Sequence, residues 1–307
     1  MKIIFFGTPS FALPSLKALI DSGKELLAVV TQPDKKNGRG HILASSPVKE
    51  FALSKGIKVF QPDDIRNSSF YNEILKIKPD VIVVVAFGRI LPPSILYLPS
   101  YGCINLHASL LPKYRGAAPI QWAIINGEQK TGVTTILMNE GLDTGDILMQ
   151  VEVDIYEEDN ADTLSKRLSE VGAELLVKTI DGVKNKVIHP KPQIGVPTYA
   201  PPLKKEDGHI NWNKTAVEIF NLVRGVYPWP GAYCYLDTKR FKINRVKVVN
   251  GSGIPGRIEK ADDELLVGTV RGLISIVEIQ PEGKKPMTSK EFLKGRDIKV
   301  GSFFNGT

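Results

Sequence analysis

The chain of 307 residues is predicted to fold as a doubly wound α/β sheet followed by a small all-β unit. Three observations carry this. Short apolar, β-branched runs alternate with helical periodicity as far as residue 180, the pattern of βαβ crossovers onto a parallel sheet. A Pro-dense, aperiodic stretch follows, with HPKP at 189–192 and PTYAPP at 197–202. After it, short alternating segments are separated by turn residues at the spacing of a small barrel or sandwich.

Taken in order, residues 2–6 (KIIFF) are an apolar run that breaks at Gly7-Thr8-Pro9, and from Ser10 the residues Phe11, Leu13, Leu16, Leu19 and Ile20 line one side of a helix. That is strand, turn, helix. Residues 26–31 are β-rich, 47–54 helical and 58–60 a short strand. VIVVVAF at 81–87 has the unbroken apolar character of a strand covered on both faces. Strands at 102–107 and 132–138 and helices at 117–126 and 163–180 complete a Rossmann-like first domain, 1–189. A linker is expected over 190–206. The second domain, 207–307, reads as a helix at 215–223 and strands at 232–236, 241–249, 256–259, 264–268 and 273–280.

Composition narrows the functional classes. The chain is 42% apolar, enough for a large core. No apolar run approaches the roughly 20 residues of a membrane span, and the start lacks the pattern of a signal peptide, so a cytoplasmic chain without a membrane partner is expected; a monomer is also expected. Cys103 and Cys234 offer neither metal spacing nor a disulfide framework. The net charge is +7, and residues 207–307 carry 16 Lys/Arg against 11 Asp/Glu. A second cationic excess lies in 34–49 (Lys35, Lys36, Arg39 and Lys49 against Asp34). Such surpluses suit a polyanionic partner, and equally an ordinary solvated surface.

Gly7-Thr8-Pro9 is a strand-to-helix turn where ligands approach a doubly wound sheet, but neither G-x-G-x-x-G nor a Walker sequence is present. Asn105 and His107 share one face of their strand, because side chains alternate with period two. An amide and an imidazole converging at a strand end can donate to an oxygen that becomes negative during acyl transfer, though such a pair can also merely cap the next loop. Asp143, in a Gly-flanked loop after 132–138, can set the imidazole tautomer and raise its basicity. A single Asp-Thr-Gly in an α/β chain excludes an aspartic protease, which needs two copies in an all-β fold.

Asn105-x-His107, Ser109-Leu-Leu-Pro-x-x-Arg-Gly116 and Gly132-Val-Thr-Thr…Met138…Gly141-x-Asp143-Thr-Gly145 together resemble the folate-dependent formyltransferases. Gln32-Pro-Asp34, Gly38-Arg-Gly40, Ser46-Pro-Val-Lys49, Asn211-Trp-Asn213, Arg224 and Tyr227-Pro-Trp-Pro-Gly231 resemble the branch that acts on methionyl-tRNA, so the likeness covers nearly the whole chain. It implies that Asn105, His107 and Asp143 are the catalytic trio, that 10-formyltetrahydrofolate is the formyl donor and that no metal takes part. Asn105 and protonated His107 would stabilise the oxyanion while Asp143 orients His107 and helps move the proton.

The same resemblance seats the folate on Ser109, Leu110, Leu111 and Pro112 and on Phe87, Gly88, Ile90 and Leu91, with Phe87 standing where the family usually has Tyr. It makes 34–49 an inserted loop for initiator methionyl-tRNA, with Arg39 as the leading contact beside Lys35, Lys36 and Lys49. It makes the second domain a barrel of the oligonucleotide-binding (OB) type, with Lys239, Arg240, Lys242, Arg245 and Lys247 toward RNA phosphates. Cys103, Trp212, Tyr227 and Trp229 are expected to pack. Arg115 stays open between substrate contact and loop support. Two alternatives also stay open: the same chemistry on a small amine such as an amino sugar or ribonucleotide, and an RNA-binding relative without turnover.

Overall fold

The computed structural model describes residues 1–37, 42–295 and 298–305. The chain divides into two compact units. One comprises Met1–Pro119, Lys130–Asp154 and Ser165–Ala200; the other comprises Ile120–Gln129, Ile155–Leu164 and Pro201–Thr307. The Pro-rich stretch is thus divided between Ala200 and Pro201.

In the first unit seven strands run, edge to edge, Asp146–Asp154, Lys130–Leu137, Cys103–His107, Val81–Val85, Lys2–Gly7, Glu25–Val30 and Val59–Phe60. The last five are parallel. The other two form an antiparallel hairpin added beside Cys103–His107. Val81–Val85 is buried along its whole length, as its unbroken apolar run requires. Strand order reverses between Lys2–Gly7 and Val81–Val85, so a crevice opens beyond their carboxyl ends, where Thr8 and residues 86–88 lie.

Two elements add to those expected from the sequence, and one of them, Ser68–Ile77, is plainly amphipathic, burying Phe70 and Ile74 four residues apart. Asp146–Asp154 is mostly exposed and rich in acidic residues, so its apolar alternation is weak, and it forms by pairing with Lys130–Leu137. The helix Ser68–Ile77 is started by Asn67, whose side chain accepts the Ser69 N–H at 2.9 Å. The long helix Ala161–Lys184 is tied to the sheet by a buried hydroxyl pair, Thr135 with Thr179 at 2.9 Å. Cys103 is fully buried, and burial pushes its thiol up to about 12, which excludes a thiolate nucleophile near neutral pH.

The second unit is an antiparallel sheet ordered Ile258–Ala261, Leu265–Gly268, Leu273–Pro281, Lys239–Val249, Ala232–Leu236 and Phe304–Asn305. It closes on itself, because Phe303 bridges Arg257 just before Ile258. Closure leaves no long unpaired edge between these ends. Phe241, Phe292 and Phe304 fill the interior, with ring centroids 5.6 and 6.2 Å apart from Phe241, and Trp212 stacks on Phe304. The helix Ala216–Gly225 begins at a reciprocal Thr215–Glu218 capping box. Trp212 packs as expected. Trp229 does not: it is 56% exposed in the rigid turn after that helix.

Candidate active site

Cys103–His107 lies between Val81–Val85 and Lys130–Leu137, with Asn105 opposite Val84 and Ile136 and His107 opposite Thr134. This double pairing holds Asn105 and His107 on a rigid central strand. Asn105 is half-buried, and among the described residues its amide makes no hydrogen bond within the protein.

His107 is buried. Its Nε2 lies 2.9 Å from the Tyr114 carbonyl, which can only accept, so Nε2 carries the hydrogen. Nδ1 faces Asp143 Oδ2 at 3.7 Å, too long for a direct hydrogen bond. The expectation that Asp143 sets the tautomer is therefore corrected: the Tyr114 carbonyl does so, leaving Nδ1 and the carboxylate as the pair that can take and hold a proton.

The loop holding Asp143 is built from its own polar groups. Asn139 Oδ1 accepts from the Gly141 N–H and the Thr144 hydroxyl, and Asp143 takes a left-handed φ of 52°, which Asp tolerates better than most residues. Its Oδ2 accepts the Gly116 N–H at 2.8 Å. Gly116 has φ 123°, and a Cβ there would meet the Ala200 carbonyl at 2.6 Å. Only glycine fits that approach.

Three residues absent from the sequence-based site, Gln193, Thr198 and Tyr114, complete it. Gln193 donates to the carbonyls of Asp143 and Gly145, both at 2.8 Å, and its Oε1 accepts from Arg115 at 2.7 and 3.1 Å. Arg115 therefore supports the loop through Gln193. Thr198 Oγ1 accepts the Tyr114 N–H at 2.9 Å, fixing a residue held at φ 59°. No local pattern marks Gln193 or Thr198, since their partners are at least 48 residues away.

The loop Ser109–Pro112 is anchored. Ser109 donates to the Lys113 carbonyl, Thr134 donates to the Ser109 carbonyl, and Gln150 donates to the Leu111 carbonyl. Leu111 is buried, whereas Leu110 and Pro112 are half-buried. On the other side of the crevice, the Phe87 ring packs edge-on against Phe6 in the core, and its carbonyl accepts from Gln32 at 2.8 Å. Beside it, Gly88 takes φ 77°.

Ile90 is 81% exposed and Leu91 5%, and both line a cavity of about 630 Å³ together with Arg66, Arg89 and Glu140. Asp63 and Asp64 line it as well, Arg66 pairs with Asp64 at 3.3 Å, and Arg89 donates to the Pro62 and Asp63 carbonyls, so the two guanidinium groups are already engaged and the lining carries no excess of positive charge. Ile90 and Leu91 are thus brought together with charged groups of both signs, while the Phe87 side chain carries no polar group.

The expected RNA contacts are distributed as follows. Lys35 and Lys36 lie on a short strand, Lys35–Asn37, paired with Ile42–Ala44. Arg39 lies outside the described residues. Lys49 is ion-paired to Asp34 at 2.5 Å, and this bond holds the Asp34 carboxyl below its usual range. In the second unit, bulges flanking Arg245 shift the phase of Lys239–Val249. Phe241 and Ile243 are buried before them and Val246 after, so Arg240, Lys242, Arg245 and Lys247 all stay out of the core, and Lys239 is exposed at the strand end.

An unpaired amide, an oriented imidazole and a carboxylate at the carboxyl edge of a doubly wound sheet make up the equipment of a group-transfer enzyme, and the chain belongs to the formyl transferase family. Its residues 1–180 match the family model for formyl transferase and residues 202–297 that for the formyl transferase C-terminal domain. The methionyl-tRNA formyltransferase of Thermodesulfovibrio yellowstonii is 58% identical over 299 residues, covering 97% of each chain. That of Caldanaerobacter subterraneus subsp. tengcongensis is 52% identical over 98% of this chain and 99% of the relative.

Among solved structures, an N-formyltransferase from Helicobacter canadensis, in complex with folinic acid and dTDP-3-aminofucose, superposes with a TM-score of 0.70 at 22% identity, over 92% of this chain and 99% of that one. The methionyl-tRNA formyltransferase from Clostridium thermocellum gives 0.57 at 20% identity, over 83% and 96%. At these identities the likeness is one of fold.

Proposed function

We propose that this chain transfers a formyl group from 10-formyltetrahydrofolate to the free α-amine of methionine on initiator methionyl-tRNA. The observation that carries the reading is Asn105, a half-buried amide without a hydrogen bond among the described residues, two positions before His107, which is paired with Asp143. Identity of 58% to a methionyl-tRNA formyltransferase along 97% of the chain supports the acceptor. When bound, the folate supplies an activated formyl carbon.

The Asn105 amide donates to the formyl oxygen as negative charge builds on it. Nδ1 of His107, when protonated, adds a second donor, and its ring stays oriented because Nε2 is committed to the Tyr114 carbonyl. Asp143 faces Nδ1 across 3.7 Å, stabilising the imidazolium and receiving the proton shed by the attacking amine directly or through water; as the bond from the formyl carbon to the folate nitrogen breaks, that nitrogen takes up a proton and tetrahydrofolate leaves. The anchored loop Ser109–Pro112 and the apolar Ile90 and Leu91 wall the folate, and the cations of the second unit hold the RNA.

The test is formylation by purified protein with the folate donor and charged initiator tRNA. Absence of product above background overturns the proposal. Turnover of free methionine or an amino sugar in place of methionyl-tRNA reassigns the acceptor.

A further inference from the structure

The strand Ala232–Leu236 buries Ala232 and Cys234 in the barrel and turns Tyr233 and Tyr235 to its outer side, where both are half-buried. Their rings meet edge to face at 5.9 Å. His209, joined to Tyr233 by a backbone bridge, brings its ring to 5.1 Å from Tyr233 and 6.2 Å from Tyr235. Across the ladder, Lys242 stands opposite Tyr233 and Arg240 opposite Tyr235. The Arg240 guanidinium lies over the Tyr233 ring at 4.1 Å, and its buried Nε has no hydrogen-bond partner among the described residues.

The barrel does not need these rings, because its interior is already filled by Phe241, Phe292, Phe304 and Trp212. Burial lowers the His209 pKa, so its ring is neutral near pH 7, suited to stacking and not to holding a phosphate. Of the nearby carboxylates, Glu206 acts on Tyr233, and Glu278 is engaged by Asn244 at 2.9 Å. Arg240 covers one face of Tyr233, so the base contact falls mainly to Tyr235 and His209 beside that pair, while Arg240 and Lys242 bring positive charge for phosphates, a combination that matches the chemistry of unpaired nucleotides. A duplex hides its base faces and would meet only the cations.

We propose that Tyr233, Tyr235 and His209, with Arg240 and Lys242, form a stacking platform for unpaired RNA bases. The proposal rests on the RNA-acceptor reading above and adds base contact to what would otherwise be phosphate attraction alone.

The test is fluorescence anisotropy of the full chain with a labelled adenosine hexanucleotide, an abasic strand of equal phosphate number and a duplex RNA. The intact protein is expected to bind the hexanucleotide most tightly. Tyr235→Leu, which keeps apolar volume without a π-face, and Tyr233→Ala should each weaken hexanucleotide binding roughly 10-fold, without changing abasic binding or the salt slope. Tyr235→Phe should restore it. Lys242→Ala should weaken both strands and lower the salt slope.

Equal binding of base-bearing and abasic strands, or wild-type affinity in folded Tyr→Leu and Tyr→Ala variants, overturns the platform. Formylation by the wild-type chain is measured in parallel. Transfer without base preference refutes the platform alone, and base preference without transfer refutes the catalytic reading alone.

Discussion

Truncating Asn105 to Ala separates catalysis from folding more cleanly than any other change in the site. Its amide makes no hydrogen bond among the described residues, and its strand is held by backbone ladders to Val84 and Ile136 that the substitution leaves intact. The folding cost is therefore limited to strand propensity, about 1 kcal/mol at most, which lowers the melting temperature by roughly 2–4 °C. A donor aimed at a developing oxyanion is worth about 2.7–4 kcal/mol in the transition state. At about 1.4 kcal/mol per decade this predicts a fall in kcat of roughly 10²- to 10³-fold.

The assay is the initial rate of methionyl-tRNA formylation across substrate concentrations, with RNA affinity and a thermal melt on the same preparation. A kcat within 10-fold of wild type refutes the oxyanion role. His107→Ala would be harder to interpret, because it also removes a buried side chain and its hydrogen bond to the Tyr114 carbonyl.

Four further outcomes are expected. Asp143→Asn, which keeps an oxygen for the Gly116 N–H but removes the charge facing His107, should lower kcat at least about 10²-fold with little change in RNA affinity; a wild-type rate removes the carboxylate from the mechanism. Thr198→Val deletes the acceptor of the Tyr114 N–H and should cost roughly 10-fold in kcat through misplacement of His107, with Thr198→Ser restoring it. Gly116→Ala forces a left-handed Ala against the Ala200 carbonyl and should lower the melting temperature by roughly 5 °C, about 2 kcal/mol of strain. Iodoacetamide at pH 8 should leave activity intact, since the Cys103 thiol is buried and raised to about 12; inactivation by a native-state Cys103 adduct would contradict this.

How much was legible follows from how local each signal is. Val81–Val85 and Cys103–His107 are apolar runs that announce themselves, and period-two spacing is enough to put Asn105 and His107 on one face. Pro47–Ser54 carries its own Ser46 cap and a Pro in its first turn. Asp146–Asp154 escaped because an exposed edge strand needs no apolar face, only a partner. Trp229 was misjudged as packing because two neighbouring prolines indicate a rigid turn without indicating which side of it faces solvent.

The amino-acid order alone points to the doubly wound arrangement and the all-β second unit, because periodicity is a property of neighbouring residues, while the family and the three candidate polar groups come from the resemblance that the motifs along the chain carry. Long-range packing supplies the rest. Which nitrogen of His107 carries the hydrogen depends on the Tyr114 carbonyl, and Tyr114 is held by Thr198, which lies 84 residues further along the chain. Arg115 became a loop support once Gln193 was placed beside it. The outer-side grouping of Tyr233, Tyr235, His209 and Arg240 needed the register of the closed barrel. Hydrogen-bond direction and ring packing depend on distances between residues far apart in the chain, and only the folded chain sets those distances.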